Sequence, residues 1–284
     1  MNDLKVRIRD WISERFHKID HVLVPSVPRE TFTSFVKSIT PIDNGHELVR
    51  IGPPMDGSYL LPNDLKGIGL NISPGVGKTY QFESTLLKEY GIPSVMLDAS
   101  VAVPPNLPDE IEFVEKFVVP HSNSTSGISI SELVSQATAR YRNNVDFILQ
   151  MDIEGAEYEI LKYANSNDLL RFRILAIEFH DMELWVQNAF YARTILPVLT
   201  KLLEHFDVVH SRAHNSSHTF YYKGFFIPSA LELTFHRKDR QVARNGYRQL
   251  PSELDFIDSL YTSQNTPFSL KKREYKIPSK TKES

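Results

Sequence analysis

The chain contains no cysteine. That single absence removes disulfide scaffolds, zinc–thiolate sites, iron–sulfur ligation and cysteine nucleophiles, and it fits a reducing compartment. No apolar run approaches the roughly 18 residues a membrane-spanning helix needs. The first residues, Met1 to Lys18, interleave charge with apolar positions, so they lack the continuous core of a secretory signal. They read as a surface helix packed on its own domain rather than one lying on a membrane. The expected location is cytoplasmic. A large charge surplus is missing too: 32 Lys and Arg stand against 35 Asp and Glu, for a net charge of −3 and a pI near 6.4. Binding of nucleic acid through phosphate charge is therefore not expected. Glycine is scarce, with 12 in 284 residues, and eight of the 12 fall between Gly45 and Gly91. Glycine serves where backbone turns with positive φ or approaches a ligand closely, so this region marks the ligand-binding end of an open α/β fold.

What is present is ordinary globular composition: 41% hydrophobic and 24% charged residues, enough for a sizeable core. The length suits one large α/β domain with an N-terminal extension. Residues 4–23 and 28–40 read as two helices, with Leu4, Ile8, Trp11, Ile12 and Phe16 on one face of the first. From residue 66 strands alternate with helices. Strand-like runs fall at Gly67–Ile72, Ser94–Leu97, Phe113–Val119, Phe147–Met151 and Ile174–Phe179. Helical patterns fall at Gln81–Tyr90, Ile130–Tyr141, Ala156–Phe172 and Trp185–Phe206. Strands apolar on both faces, separated by helices, predict a parallel sheet covered on both sides. Phe206–His210 and Phe225–Phe235 lack a helix between them and predict an antiparallel pair closing the sheet. A Ser/Asn-rich loop is expected at 121–127, and a frayed Lys-, Ser- and Pro-rich tail from about Asn265. The expected organisation is a helical extension over 1–47, a domain over 48–240 and a C-terminal extension, partly flexible, over 241–284.

Several constellations carry chemistry. Ser73-Pro-Gly75-Val-Gly77, between a strand and a helix, places backbone N–H groups and a positive helix end beside a ligand. It is neither a complete Gly-x-Gly-x-x-Gly fingerprint nor a phosphate loop, because the latter's first glycine is replaced by Ile72. Asp98 ends the next strand at the spacing of a ribose-binding carboxylate; a helix N-cap is the alternative. Asp152-Ile-Glu154-Gly-Ala-Glu157 follows a buried strand and opens a helix. Asp152 and Glu154 share one side if the strand continues, and Glu157 is accounted for by the preference for acids near a helix N-terminus. Glu178 and His180 alternate at the end of the following strand, so Asp152, Glu178 and His180 should converge over the crevice. Such a cluster suits a general base or a divalent cation. His210, His214 and His218 lie four apart, but Asn215 and the serines favour a His-bearing active-site loop over a metal-binding helix face.

Asp152-Ile-Glu-Gly-Ala-Glu-Tyr-Glu-Ile-Leu resembles the signature segment of the FkbM-like family of S-adenosylmethionine-dependent methyltransferases. Supporting stretches are Arg50-Ile-Gly leading to Asp56-Gly-Ser-Tyr59, Gly75-Val-Gly77 with Phe82-Glu83, and Pro228 leading to Leu231-Glu-Leu-Thr234. Together they span roughly 48–238. The resemblance implies a class I methyltransferase (Rossmann-like) fold: a seven-stranded, mostly parallel sheet with an antiparallel last strand and helices on both faces. It implies S-adenosylmethionine across the glycine turn, in contact with Gly75, Gly77, Phe82, Glu83, Asp98 and Ala99, and with Asp56, Gly57 and Tyr59 closing its amino-acid end. The chain departs from the pattern at Ser73, where many such enzymes carry an acid, and at Ser58, where a second glycine is expected. The activity implied is O-methylation of a small-molecule acceptor, a sugar or nucleotide-sugar hydroxyl. His180 is the first choice of base, with Asp152 next and Glu178 beside them. In an equivalent scheme Asp152 and Glu178 hold a divalent cation that acidifies the hydroxyl. His214, Asn215 and Glu154 would position the acceptor. Two other readings are a nicotinamide-dependent oxidoreductase, disfavoured by the missing third glycine, and a catalytically inactive S-adenosylmethionine-binding interaction module.

Overall fold

A computed structural model of the chain describes residues 23–122, 126–141, 145–214 and 220–255. All of the expected helix over 4–23 except Leu23, and the tail from Asn265, lie outside them, as does the centre of the 121–127 loop. The chain enters through α1 (Arg29–Ser38), which buries Phe32 and Phe35. A hairpin of β1 (Leu48–Ile51) and β2 (Tyr59–Pro62) follows. The alternating part then runs β3 (Ile68–Pro74), α2 (Gln81–Tyr90), β4 (Ser94–Leu97), β5 (Ile111–Val114), β6 (Phe117–Val118), β7 (Gly127–Ile128), α3 (Ile130–Tyr141) and β8 (Asp146–Met151). After it come α4 (Glu157–Tyr163), α5 (Ser166–Leu169) and β9 (Phe172–Phe179). A 3-10 turn (Met182–Val186), α6 (Asn188–Phe190), a π-helical turn (Tyr191–Ile195) and α7 (Leu196–His205) lead to β10 (Phe206–His214). The hairpin β11 (Phe220–Tyr222) and β12 (Phe225–Ile227) precedes β13 (Ala230–Arg237).

Seven strands form one sheet in the order β10-β13-β9-β8-β3-β4-β5. The pairs from β9 to β5 are parallel. The last strand, β13, is inserted between β9 and β10 and runs antiparallel to both. The expected mixed sheet with a reversed final strand is therefore present, and both faces are covered.

Four expected elements are divided. The run Phe113–Val119 is two strands, because the chain turns at Glu115-Lys116; β5 stays in the main sheet and β6 pairs with β7. The helix expected over Ala156–Phe172 breaks at Ala164, in extended conformation, and Asn165 caps α5 by accepting from Asn167 N at 2.9 Å. Asparagine's preference for that capping role outweighs helical periodicity. Trp185–Phe206 is likewise interrupted: Gln187 is extended, and a π turn precedes Pro197, whose ring nitrogen has no hydrogen to donate to the preceding turn. The apolar run Phe225–Phe235 splits into β12 and β13.

Side-chain alternation gives the sheet two different faces. Phe147, Leu149, Met151, Leu175, Ile177, Phe179, Leu231, Leu233 and Phe235 pack into the large core with α1, α3, α4 and α7. The opposite face puts Ile148, Ile174 and Ala176 against β1, β2 and α2. Toward the C-terminal ends of its strands that second face becomes polar, with Gln150, Glu178, Glu232 and Arg212 all buried.

The β1–β2 hairpin is tied down at the far end by Asp64. Its carboxylate accepts from Arg240 Nε at 2.7 Å and Nη2 at 2.8 Å, from Arg173 Nη1 at 3.3 Å, and lies 3.2 Å from His236 Nε2. Burial opposes ionisation of Asp64, but the bonds from Arg240 and His236 and the Arg173 charge outweigh it and hold the carboxyl below its ordinary 3.8. The unfolded chain takes up this proton first, so the stabilisation is complete above about 3.8 and drains as pH falls below it. Asp64→Asn is expected to cost about 3 kcal/mol at neutral pH and to flatten the acid limb of stability. Urea unfolding at a series of pH values checks this; wild-type and variant curves that stay parallel in acid would remove Asp64 as the source.

Candidate functional site

The site is built where three strands end together. Gly75 N donates to Leu97 O at 2.9 Å and Asp152 N donates to Pro74 O at 3.2 Å, which joins the ends of β4, β3 and β8. Gly75 has φ +81°, and a Cβ there would stand 1.6 Å from the Asp152 carbonyl oxygen. Only glycine fits. Gly77, at φ +57°, donates its N–H to Asp98 Oδ2 at 3.1 Å. Asp98 Oδ1 accepts from Ser100 N at 2.8 Å and Ser100 Oγ at 2.6 Å. The Asp98 carboxylate thus clasps the glycine turn, with acceptor capacity left over.

Around this turn lies a cleft of about 500 Å3, lined by Asp56, Gly57, Gly75, Gly77, Lys78, Phe82, Glu83, Asp98, Gln150, Asp152 and Glu154 among others. Seven of the nine positions named for the cofactor line it. The other two do not: Ala99 follows Asp98 without reaching the cleft, and Tyr59 is buried under the hairpin, where its hydroxyl accepts from Gln150 Nε2 at 3.3 Å. Tyr59 belongs to the core because alternation along β2 points it at the sheet. Glu83 is buried in the first turn of α2, and burial, opposed by a hydrogen bond from Ser73, pushes its carboxyl up to about 7.

A second cleft, of about 550 Å3, adjoins the first and shares Asp56, Asp152 and Glu154 with it. Its other lining residues include Glu178, His180, Asp181, Glu183 and His214. Here the expected geometry needs correction. Strand β8 does not continue through Glu154 but stops at Met151, and Glu154 (φ +54°) and Gly155 (φ +103°) form a left-handed turn. That turn still brings Asp152 and Glu154 to one place: Asp152 Oδ1 and Glu154 Oε2 each lie 3.6 Å from His180 Nε2, and Glu178 Oε1 lies 3.7 Å from it. Asp152, Glu178 and His180 therefore converge.

Local sequence implies only a helix-end role for Glu157, but its place is central. Its side chain is 0% exposed, and Oε1 accepts from Ile153 N at 3.1 Å and Gly155 N at 3.2 Å and lies 3.0 Å from His180 Nδ1. The signal was readable in part, since an acid in the first helical turn reaches back to free N–H groups by capping-box logic. The long-range His180 contact was not. Tyr158 fixes the same segment by donating its hydroxyl to His180 O and accepting from Trp185 Nε1 at 2.6 Å.

Charges in the second cleft are strongly coupled. Burial, then the Glu178 carboxylate, pushes Asp152 up to about 8, against His180. Burial works against charge on His180, but the hydrogen bond and charge of Glu157, with Glu178 and Asp152, raise it to about 9. His214 is raised to about 9 by its hydrogen bond to Glu178, 3.2 Å away, against burial and with help from Asp56 and Glu232. Burial would keep Glu178 neutral; the bond from His214 and the charges of His214, His180 and Arg212 instead hold it below its ordinary value. Behind it Arg212 makes a buried two-point pair with Glu232.

The histidine-bearing loop is overturned in part. His210 and His214 lie within β10, a strand stabilised by pairing with β13 that local sequence does not reveal. His214 reaches the second cleft. His210 is buried elsewhere, 3.0 Å from Asp255. Asn215 and His218 lie outside the described residues. Gly75→Ala is expected to lower the melting temperature or prevent folding, since Asp152 must move to admit the methyl group. A variant as stable as wild type would show that the β3 turn and the β8 end can separate freely.

Residues 124–206 match the family model described as the methyltransferase FkbM domain. That span contains the Asp152–Glu157 segment, Glu178 and His180, and the match supports a methyltransferase. No curated protein matches the chain. Among solved structures, a provisionally assigned riboflavin biosynthesis protein from Shewanella sp. PV-4 aligns at 12% identity and a TM-score of 0.24, over 66% of this chain and 84% of its own. EvdMO1 aligns at 12% identity and a TM-score of 0.29, over 74% of this chain and 47% of its own.

Proposed function

We propose that the protein is an S-adenosylmethionine-dependent O-methyltransferase of the class I (Rossmann-like) arrangement, acting on a hydroxyl of a sugar or related polyhydroxylated metabolite. The observation that carries this reading is the chemistry of the first cleft. Among the described residues its ionisable lining is Asp56, Glu83, Asp98, Asp152 and Glu154 against Lys78 alone. Carboxylates suit a ligand that carries an ammonium and a sulfonium, and they repel the pyrophosphate of a nicotinamide dinucleotide. The volume falls in the range of sites that enclose a ligand of this size. Asp98 stands where a ribose diol would meet a carboxylate, over the glycine turn. When bound, S-adenosylmethionine supplies an activated methyl group.

The remaining work falls to the chain. The residues of the second cleft hold the acceptor oxygen in line with the methyl group and take its proton. Asp152 lines both clefts, so it stands at the junction where donor and acceptor meet. A positive charge brought beside it favours its ionised form and makes it the proton acceptor, with His180 holding the opposite charge at 3.6 Å. The runner-up base of the sequence reading thus becomes the first choice, because the hydrogen bond and charge of Glu157, with Glu178 and Asp152, favour the protonated form of His180. Glu178 and His214 would bond the acceptor's neighbouring hydroxyls. With six carboxylate residues and two histidines among its lining, and neither lysine nor arginine among the described residues that line it, the second cleft favours a neutral polyol over a nucleotide sugar.

Calorimetric titration with S-adenosylhomocysteine tests the cofactor. Binding is expected in wild type, weakened tenfold or more in Asp98→Ala, with no heat from NADH. An NADH signal without S-adenosylhomocysteine binding would move the assignment to an oxidoreductase. With a methylated acceptor in hand, Asp152→Asn and His180→Ala should each slow transfer by about 10²–10⁴-fold. Unchanged rates in both variants, with cofactor affinity intact, would leave a binding module as the better reading.

A further inference from the structure

His180 is presented as a ligand is presented. Its Nδ1 is fixed by the wholly buried Glu157 carboxylate at 3.0 Å, so Nε2 faces the opposite way, into the second cleft. Three carboxylate oxygens surround that nitrogen: Asp152 Oδ1 and Glu154 Oε2 at 3.6 Å and Glu178 Oε1 at 3.7 Å. All three separations exceed hydrogen-bond length. Asp152 Oδ1 is shut off from solvent and, among the described residues, has no hydrogen-bond partner. The ligand atoms of Asp152, Glu154 and His180 lie within 4.8 Å of one another. Donors held about 2.0–2.2 Å from one ion stand roughly 3–3.6 Å apart, which is the spacing seen around Nε2. A carboxylate holding the second ring nitrogen is the usual support of a metal-bound histidine, and the buried Glu157 occupies that place.

We propose that Asp152, Glu154 and His180 bind one divalent transition cation, with Glu157 as the residue that orients His180. An imidazole joined to carboxylate oxygens suits manganese, iron or zinc better than magnesium or calcium, which favour all-oxygen shells. This ligand set differs from the pairing of Asp152 with Glu178 suggested by the sequence: Glu178 is engaged by His214 at 3.2 Å, whereas the Glu154 turn brings a third donor. Binding of the ion displaces the Nε2 proton of His180, and the ion itself then supplies the positive charge beside Asp152. Three protein ligands leave positions open toward the second cleft, where adjacent hydroxyls of an acceptor would complete the shell. That use of the ion rests on the methyl-transfer reading; the binding of the ion does not.

The test is titration of the full chain with MnCl2, by calorimetry and by the loss of the free-ion electron paramagnetic resonance signal. One saturable site is expected. His180→Ala and Asp152→Asn should each weaken it tenfold or more, and Glu157→Gln by about 10–100-fold. Glu154→Gln changes an exposed side chain (88%) and should weaken binding without disturbing the fold, which a thermal melt checks. Glu159→Gln, on the outer side of α4, should leave it unchanged. Absence of saturable binding at millimolar MnCl2 overturns the proposal, as does binding indifferent to Glu154→Gln and His180→Ala. S-adenosylhomocysteine titrated separately, without metal, reports on the methyl-transfer reading, so the two can fail independently.

Discussion

Both clefts depend on how closely the turn after β3 lies on the end of β8. The Gly75 backbone rests against the Asp152 carbonyl at a distance that admits no side chain, and hydrogen bonds across β4, β3 and β8 hold the strand ends level. Asp152 consequently stands between the two clefts and lines both. Were the turn lifted by the width of a methyl group, the first cleft would lose its wall and Asp152 its position beside His180. Steric exclusion at one glycine therefore governs where the acid of the next strand can be.

The sheet separates stability from chemistry by face. One face is apolar along its length and carries the large core. The other begins apolar beneath the β1–β2 hairpin and ends in a row of buried charge, Arg212, Glu232 and Glu178, set side by side on β10, β13 and β9 by strand register. Burying a lone carboxylate there would cost several kcal/mol. Alternating Arg212 with Glu232, and Glu178 with His214, offsets that cost and keeps Glu178 ionised beside the second cleft. Antiparallel insertion of β13 makes this possible, because it places a long-range strand between two segments that each supply partners.

Glu157 couples the segments around the site. It is bonded to the Ile153–Gly155 turn and to His180, on different strand ends, so a displacement of either is felt by the other. The left-handed Glu154 is tolerated because its neighbouring N–H groups find this carboxylate. Strain of that kind persists only where the surroundings over-determine it.

Much of the architecture was legible in the amino-acid order, since period-two and period-3.6 patterns are local: α2, α3 and β4 fall where periodicity put them. Breaks inside helical patterns were less legible, because Asn165 and Pro197 act through single hydrogen bonds that a periodic average hides. At the site, the sequence by itself determined which acids and histidines end the buried strands, and so the convergence of Asp152, Glu178 and His180. Only the tertiary structure decided that Glu157 backs His180, that Tyr59 turns inward, that His214 reaches the cleft while His210 pairs with Asp255, and that Glu154 swings in from a left-handed turn. Those outcomes join residues tens of positions apart or hang on one φ angle. Register and packing settle them, and neither is written in any local stretch of the chain.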